Sequence, residues 1–126
     1  TDGGSSYGVT ATTTYFVADH GENDSGGELS YIASGDLAQG TNYQRLTQSV
    51  GNGADESCAG TLWLFNPSNT TYVKHFYTRF QGYGAGNLSD DCFSAGYFNT
   101  TTALNAIDFK FGSGNMDAVI KMYGVG

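Results

Sequence analysis

The chain has one proline, two cysteines, five lysines and arginines together, and no long apolar run in its 126 residues. Each shortage excludes something. No stretch approaches the roughly 20 apolar residues of a membrane-spanning helix. The five cations stand singly against twelve acids, for a net charge of −7. Duplex nucleic acid and anionic membrane are therefore poor partners, because neutralising phosphates takes clustered cations. Two cysteines, Cys58 and Cys92, cannot build a structural zinc site, and His20 and His75 sit at no ligand-type spacing. No metal site and no cofactor are expected.

Catalytic constellations are scarce too. The one G-x-S-x-G string, Gly4-Ser5-Ser6-Tyr7-Gly8, falls in a turn sequence and not between a strand and a helix as a nucleophile elbow does, and neither histidine has a recognisable partner motif. The acids fall as Glu22 with Asp24, Asp55 with Glu56, and Asp90 with Asp91. Two carboxylates can hydrolyse a glycosidic bond when they flank a sugar, whereas loop acids usually serve solubility or, less often, calcium ligation. Glu22-Asn23-Asp24 is too short a run to count as a calcium loop. The expectation is a chain with no catalytic residues. Sequons at Asn23, Asn69, Asn87 and Asn99 are unremarkable in a sequence this rich in Asn, Ser and Thr.

What is abundant points to sheet. Nine Tyr, eight Phe and many Thr and Val suit a pleated, half-buried surface, and nineteen Gly interrupt the chain too often for long helices. Candidate strands fall at 9–18, 28–33, 43–50, 61–65, 72–81 and 94–98. They are separated by polar loops at 20–27, 51–60 and 82–91 and by the sharp turn Asn66-Pro67-Ser68-Asn69. At the end, Ile107, Phe109 and Phe111 alternate with Asp108 and Lys110. Gly112-Ser113-Gly114-Asn115 then offers a reversal, and Ala118, Ile120 and Met122 share one side of a further candidate strand at 117–123. This reads as a closing β-hairpin. The expected fold is all-β, an antiparallel β-sandwich of the jelly-roll kind, with Ile107, Phe109, Phe111, Ile120 and Leu62 in its core. One domain spans 1–126. The opening Thr1-Asp2-Gly3-Gly4-Ser5-Ser6-Tyr7-Gly8 is a turn with a strand on one side only, so the chain is expected to be the C-terminal part of a longer polypeptide lacking its first strands.

Alternation also selects an outer surface. If Leu62 and Leu64 face inward, Trp63 and Phe65 face outward; if Phe76 and Phe80 face inward, His75, Tyr77 and Arg79 face outward. Trp63, His75, Tyr77 and Arg79 are thus the candidate interface or ligand residues. A neighbouring chain or a stacked sugar would suit them. Cys58 and Cys92, each read as closing a long loop, are candidates for a disulfide if the two loops share one end of the sandwich.

Three segments carry a family resemblance: TDGGSSY at the start, GTLWLFNPSNTTYVKHFYTRF in the middle and YFNTTTALNAIDFKFGSGNMDAVIKMYGV at the end. In order and spacing they resemble the C-terminal half of uncharacterised structural proteins of tailed bacteriophages of marine and α-proteobacterial hosts. The likeness is weak over 20–40 and 82–91, and its motifs are structural, so it transfers no catalytic or binding residue. It implies a non-enzymatic structural protein of the virion exterior, of head decoration (cement) or tail-fibre type. The implied partners are other virion proteins and further copies of the chain, a trimer being favoured, with a host glycan if it is a fibre or spike domain. A secreted lectin or carbohydrate-active domain is the remaining alternative.

Overall fold

A computed structural model describes residues 6–126. The turn read at Asp2-Gly3-Gly4 lies outside the described residues. Five strands, β1 (Ala11–Gly21), β2 (Gly26–Tyr31), β3 (Ser57–Leu64), β4 (Lys74–Gly84) and β5 (Leu88–Phe98), form one antiparallel sheet in the order β2-β1-β5-β4-β3. The protein is all-β, as its composition implies. The layer packed on this sheet is the irregular segment 32–56, where a sandwich would place a second sheet.

Several strands run further than the polar composition of their ends suggests. β1 extends through His20 to Gly21, and β4 and β5 leave only the turn Ala85-Gly86-Asn87 between them. That turn works because Gly86 and Asn87 take φ of 98° and 58°, left-handed values that Gly and Asn tolerate best. Glycines and acids near a tight turn look like loop, although here they pair in full register. Asp90 and Asp91 lie within β5, opposite Gly82 and Gln81.

Every second residue of β1, β4 and β5 faces inward. Ala11, Tyr15, Val17, Phe76 and Cys92 are the buried apolar residues, accompanied by buried Thr13, Thr78, Ser94, Asp90 and Lys74. Residues 32–56 close over them. The short 3-10 turn Ala33–Gly35 lies on the Tyr15 ring, and a Cβ at Gly35 would overlap that ring. Further along, Gln44 accepts a hydrogen bond from Thr13 Oγ1 (2.6 Å) and donates to the Gly35 carbonyl (2.9 Å). The 43–50 stretch expected as a strand is part of this cover: its polar side chains and the Ser49 carbonyl, which accepts from Ala85 N (3.1 Å), bond across the sheet face without forming a ladder.

The C-terminal expectation is corrected more sharply. Residues 99–126 form no strand. Ile107, Phe111 and Ile120 are exposed (Ile120 by 59%), while Phe109 and Leu62 are only partly buried. Period-2 alternation reports a surface that could be half-buried, but a two-stranded hairpin with no layer against it is marginal in water. Ile107→Asp, which a core position could not accept, is expected to shift unfolding stability by less than about 0.5 kcal/mol; a denaturant titration checks this.

The cysteines are both free. Cys58 pairs with Gly82 and Cys92 with Phe80, so β4 runs between them. Two strand spacings of about 4.8 Å exceed the roughly 7 Å limit between bridged Cα atoms, and the expected disulfide is excluded by geometry. Burial pushes the Cys92 thiol up, which lowers its thiolate fraction and its reactivity. In native protein an alkylating reagent is therefore expected to modify Cys58 first and Cys92 only on unfolding, as mass spectrometry of unreduced samples would show.

Candidate functional site: the aromatic outer face

The residues that do not face the core make up a surface spread across all five strands. Cross-strand register arranges it in rows. One row runs Tyr31, Phe16, Phe93, Arg79, Thr61; the next runs Thr14, Ala95, Tyr77, Trp63; the third runs Thr12, Tyr97, His75. Phe65 extends the third row, its amide donating to the His75 carbonyl (3.0 Å). All four residues selected from the sequence, Trp63, His75, Tyr77 and Arg79, lie together on this face.

The rings touch one another in chains. Phe16 and Phe93 stack with centroids 4.8 Å apart and planes inclined by 8°. Tyr77 contacts Trp63 at 6.3 Å and Phe65 at 5.7 Å, and His75 leans on Tyr97 at 6.2 Å. Arg79 lies over the first of these pairs. Its guanidinium lies 5.1 Å from the Phe93 centroid while gripping Asp91 through Nε to Oδ1 (3.0 Å) and Nη2 to Oδ2 (2.6 Å). The two-point geometry fixes a planar group over a ring, and the hydrogen bond from Arg79 to Asp91 raises the arginine's pKa further above an already high value.

Despite these contacts the rings remain open to solvent: Trp63 is 43% exposed, and Phe65, Tyr77, Tyr31 and Leu29 are exposed as well. Between the outer rows, Thr14 and Ala95 are small and exposed, with Phe93, Tyr97 and Tyr77 as neighbours of Ala95. A face of this kind can pack against another apolar surface or stack on the flat side of a sugar ring.

The sequence did not reveal Phe16, Phe93, Tyr31 and Tyr97 as members of this face. Tyr15 and Phe16 are consecutive aromatics, so alternation alone cannot say which is buried. Phe93 follows two residues read as loop. A cross-strand register for β5 would have been the deciding signal.

Neither histidine is near the other. His20 reaches Asp24 (3.4 Å) at the β1–β2 turn, while His75 stands on β4. Among the described residues no group of three or more His, Cys, Asp or Glu is placed to hold a metal ion. Asp90 and Asp91 are consecutive strand residues and face opposite sides of the sheet, so this pair cannot flank one sugar. Comparison with known proteins gave no match: no family model, curated protein or solved structure is similar to the chain.

Asp90 is held inside, where burial, with the Asp19 charge second, raises its pKa above the ordinary aspartate value. A carboxyl raised in the folded state leaves the fold at full stability below its unfolded range. Stability is then lost as pH rises through the folded value. Asp90→Asn is expected to raise the urea midpoint at pH 7, with the gain fading below about pH 4; paired titrations at the two pH values check the sign.

Proposed function

We propose that this chain is a non-enzymatic structural protein of the exterior of a tailed-phage particle, joined to neighbouring virion proteins through the aromatic outer face. The observation that carries the reading is the gathering on one face of exposed Tyr31, Trp63, Phe65 and Tyr77 with half-buried Phe16, Phe93 and Tyr97 among them. Aromatic residues and arginine are favoured as anchors at protein interfaces, and exposed apolar patches of this breadth mark interaction sites. The sequence segments that resemble phage structural proteins include the strands that present Trp63, Tyr77 and Arg79, and this supports the virion setting.

The small Thr14 and Ala95 set among Phe93, Tyr97 and Tyr77 favour one further reading, in which a host glycan stacks on these rings and the chain serves as a tail-fibre or spike domain. Binding to an array of bacterial surface glycans that is lost in Tyr77→Ala would select that role.

Mass spectrometry of purified particles carrying the gene tests the proposal directly. Hundreds of copies per particle indicate head decoration and a handful indicate a tail device; a complete particle without the chain contradicts the reading. Trp63→Ala is expected to weaken incorporation by about 2 kcal/mol, roughly 30-fold in affinity.

A further inference from the structure

The last fifteen residues, 112–126, belong to no ladder, and all but the half-buried Met116 are exposed. A Cβ built at Gly112, Gly114, Gly124 or Gly126 would meet no heavy atom within 4 Å. Their apolar side chains are open to solvent, Val119 by 87% and Met122 by 91%, with Ile120, Tyr123 and Val125 also exposed. Such exposure costs solubility unless something covers it. The pattern suits a strand covered on both sides: Ala118, Ile120 and Met122 on one face, Val119, Lys121 and Tyr123 on the other.

The sheet offers a matching vacancy of backbone pairing. β3 is bonded only to β4, so its outer edge is free along eight residues, Ser57–Leu64 (SCAGTLWL). That edge has no charge and no proline, the devices by which natural edges avoid pairing with other chains. The opposite edge is guarded. β2 carries Glu28, starts at Gly26 and Gly27 with positive φ, and faces a register break between Asp19 and His20.

The root of the arm runs from the end of β3 to the cover over β1, where Gly40 and Gln44 bond Ala11 and Thr13. Leu104 N donates to the carbonyl of Pro67 (2.8 Å), just beyond the end of β3. Tyr43 then holds the chain twice, its hydroxyl donating to Asp108 and its ring lying 4.3 Å from Lys110 Nζ. Past Phe111 Met116 alone is half-buried, and Gly114 takes a φ of 75°.

From this geometry we infer that residues 112–126 of one copy add as a strand to the outer edge of β3 in a second copy of the chain. The docked strand extends the outer face beside Trp63 with one set of side chains and shields Leu62 and Leu64 with the other. Main-chain hydrogen bonds supply affinity and the alternating side chains supply register. Because arm and edge are different surfaces of the same chain, the exchange closes as a reciprocal pair or as a ring, of which a trimer is one case. The inference goes beyond the virion reading and needs no phage partner, so either can fail without the other.

The test compares the full chain with a chain ending at Phe111 and with Ile120→Pro, which removes one backbone donor from an exposed position. Sedimentation of the full chain is expected to show concentration-dependent association, and both variants are expected to be monomers whose unfolding midpoints match that of the full chain at dilutions where it is monomeric. Amide exchange should show β3 protected in the full chain and at least tenfold faster exchange of its outward amides in both variants. A monomeric full chain with β3 protected would mean that the arm folds on its own copy. Protection at β2, or variants that associate as the full chain does, would equally overturn the inference.

Discussion

β5 is paired residue for residue on both sides, eleven positions to β1 and eleven to β4, and every other feature is placed by that double register. It sets Cys92 between Val17 and Phe80, and Ser94 between Tyr15 and Thr78, on the inner side. The same register puts Phe93 between Phe16 and Arg79 on the outer side. Small residues make this possible. Ser94, Ala95 and Gly96 leave space for the larger neighbours, and a Cβ at Gly96 would collide with the β1 backbone at Thr12. A sheet anchored at its centre can carry two very different faces because a strand's side chains must alternate.

The inner face is unusually polar for the core of a chain this size. Among the described residues only five apolar side chains are buried, beside two threonines, a serine, an aspartate and a lysine. The Lys74 ammonium is held by the carbonyl of Thr100 (3.1 Å), and the segment 32–56 supplies polar cover where a second sheet would supply apolar contact. Much of the chain's aromatic surface therefore lies outside the core, on the outer face and the C-terminal arm. This distribution suits a protein whose apolar surface is completed by other chains.

Alternation correctly set Leu62 and Leu64 against Trp63 and Phe65, and Phe76 against His75 and Tyr77, on opposite sides of the sheet. Where neighbours were alike, as in Tyr15-Phe16, the pattern was silent. Asp90 and Asp91 looked like loop because acids near glycine usually are; one is in fact gripped by Arg79 and the other buried. The C-terminal alternation was real, yet a strand also needs a partner, and partner identity is not encoded in the period of one segment. The disulfide reading failed for a related reason, since it placed both cysteines in loops when cross-strand register sets them two strands apart.

Trp63 is the only tryptophan, which makes the central claim, that the outer face is built to be covered by another chain, open to a direct optical measurement. Its emission and its quenching by acrylamide should be recorded for dilute protein and for the assembled form, whether particle or concentrated oligomer. Coverage predicts a shift to shorter wavelength and reduced quenching on assembly. An indole equally quenched and unshifted in both states would contradict the account.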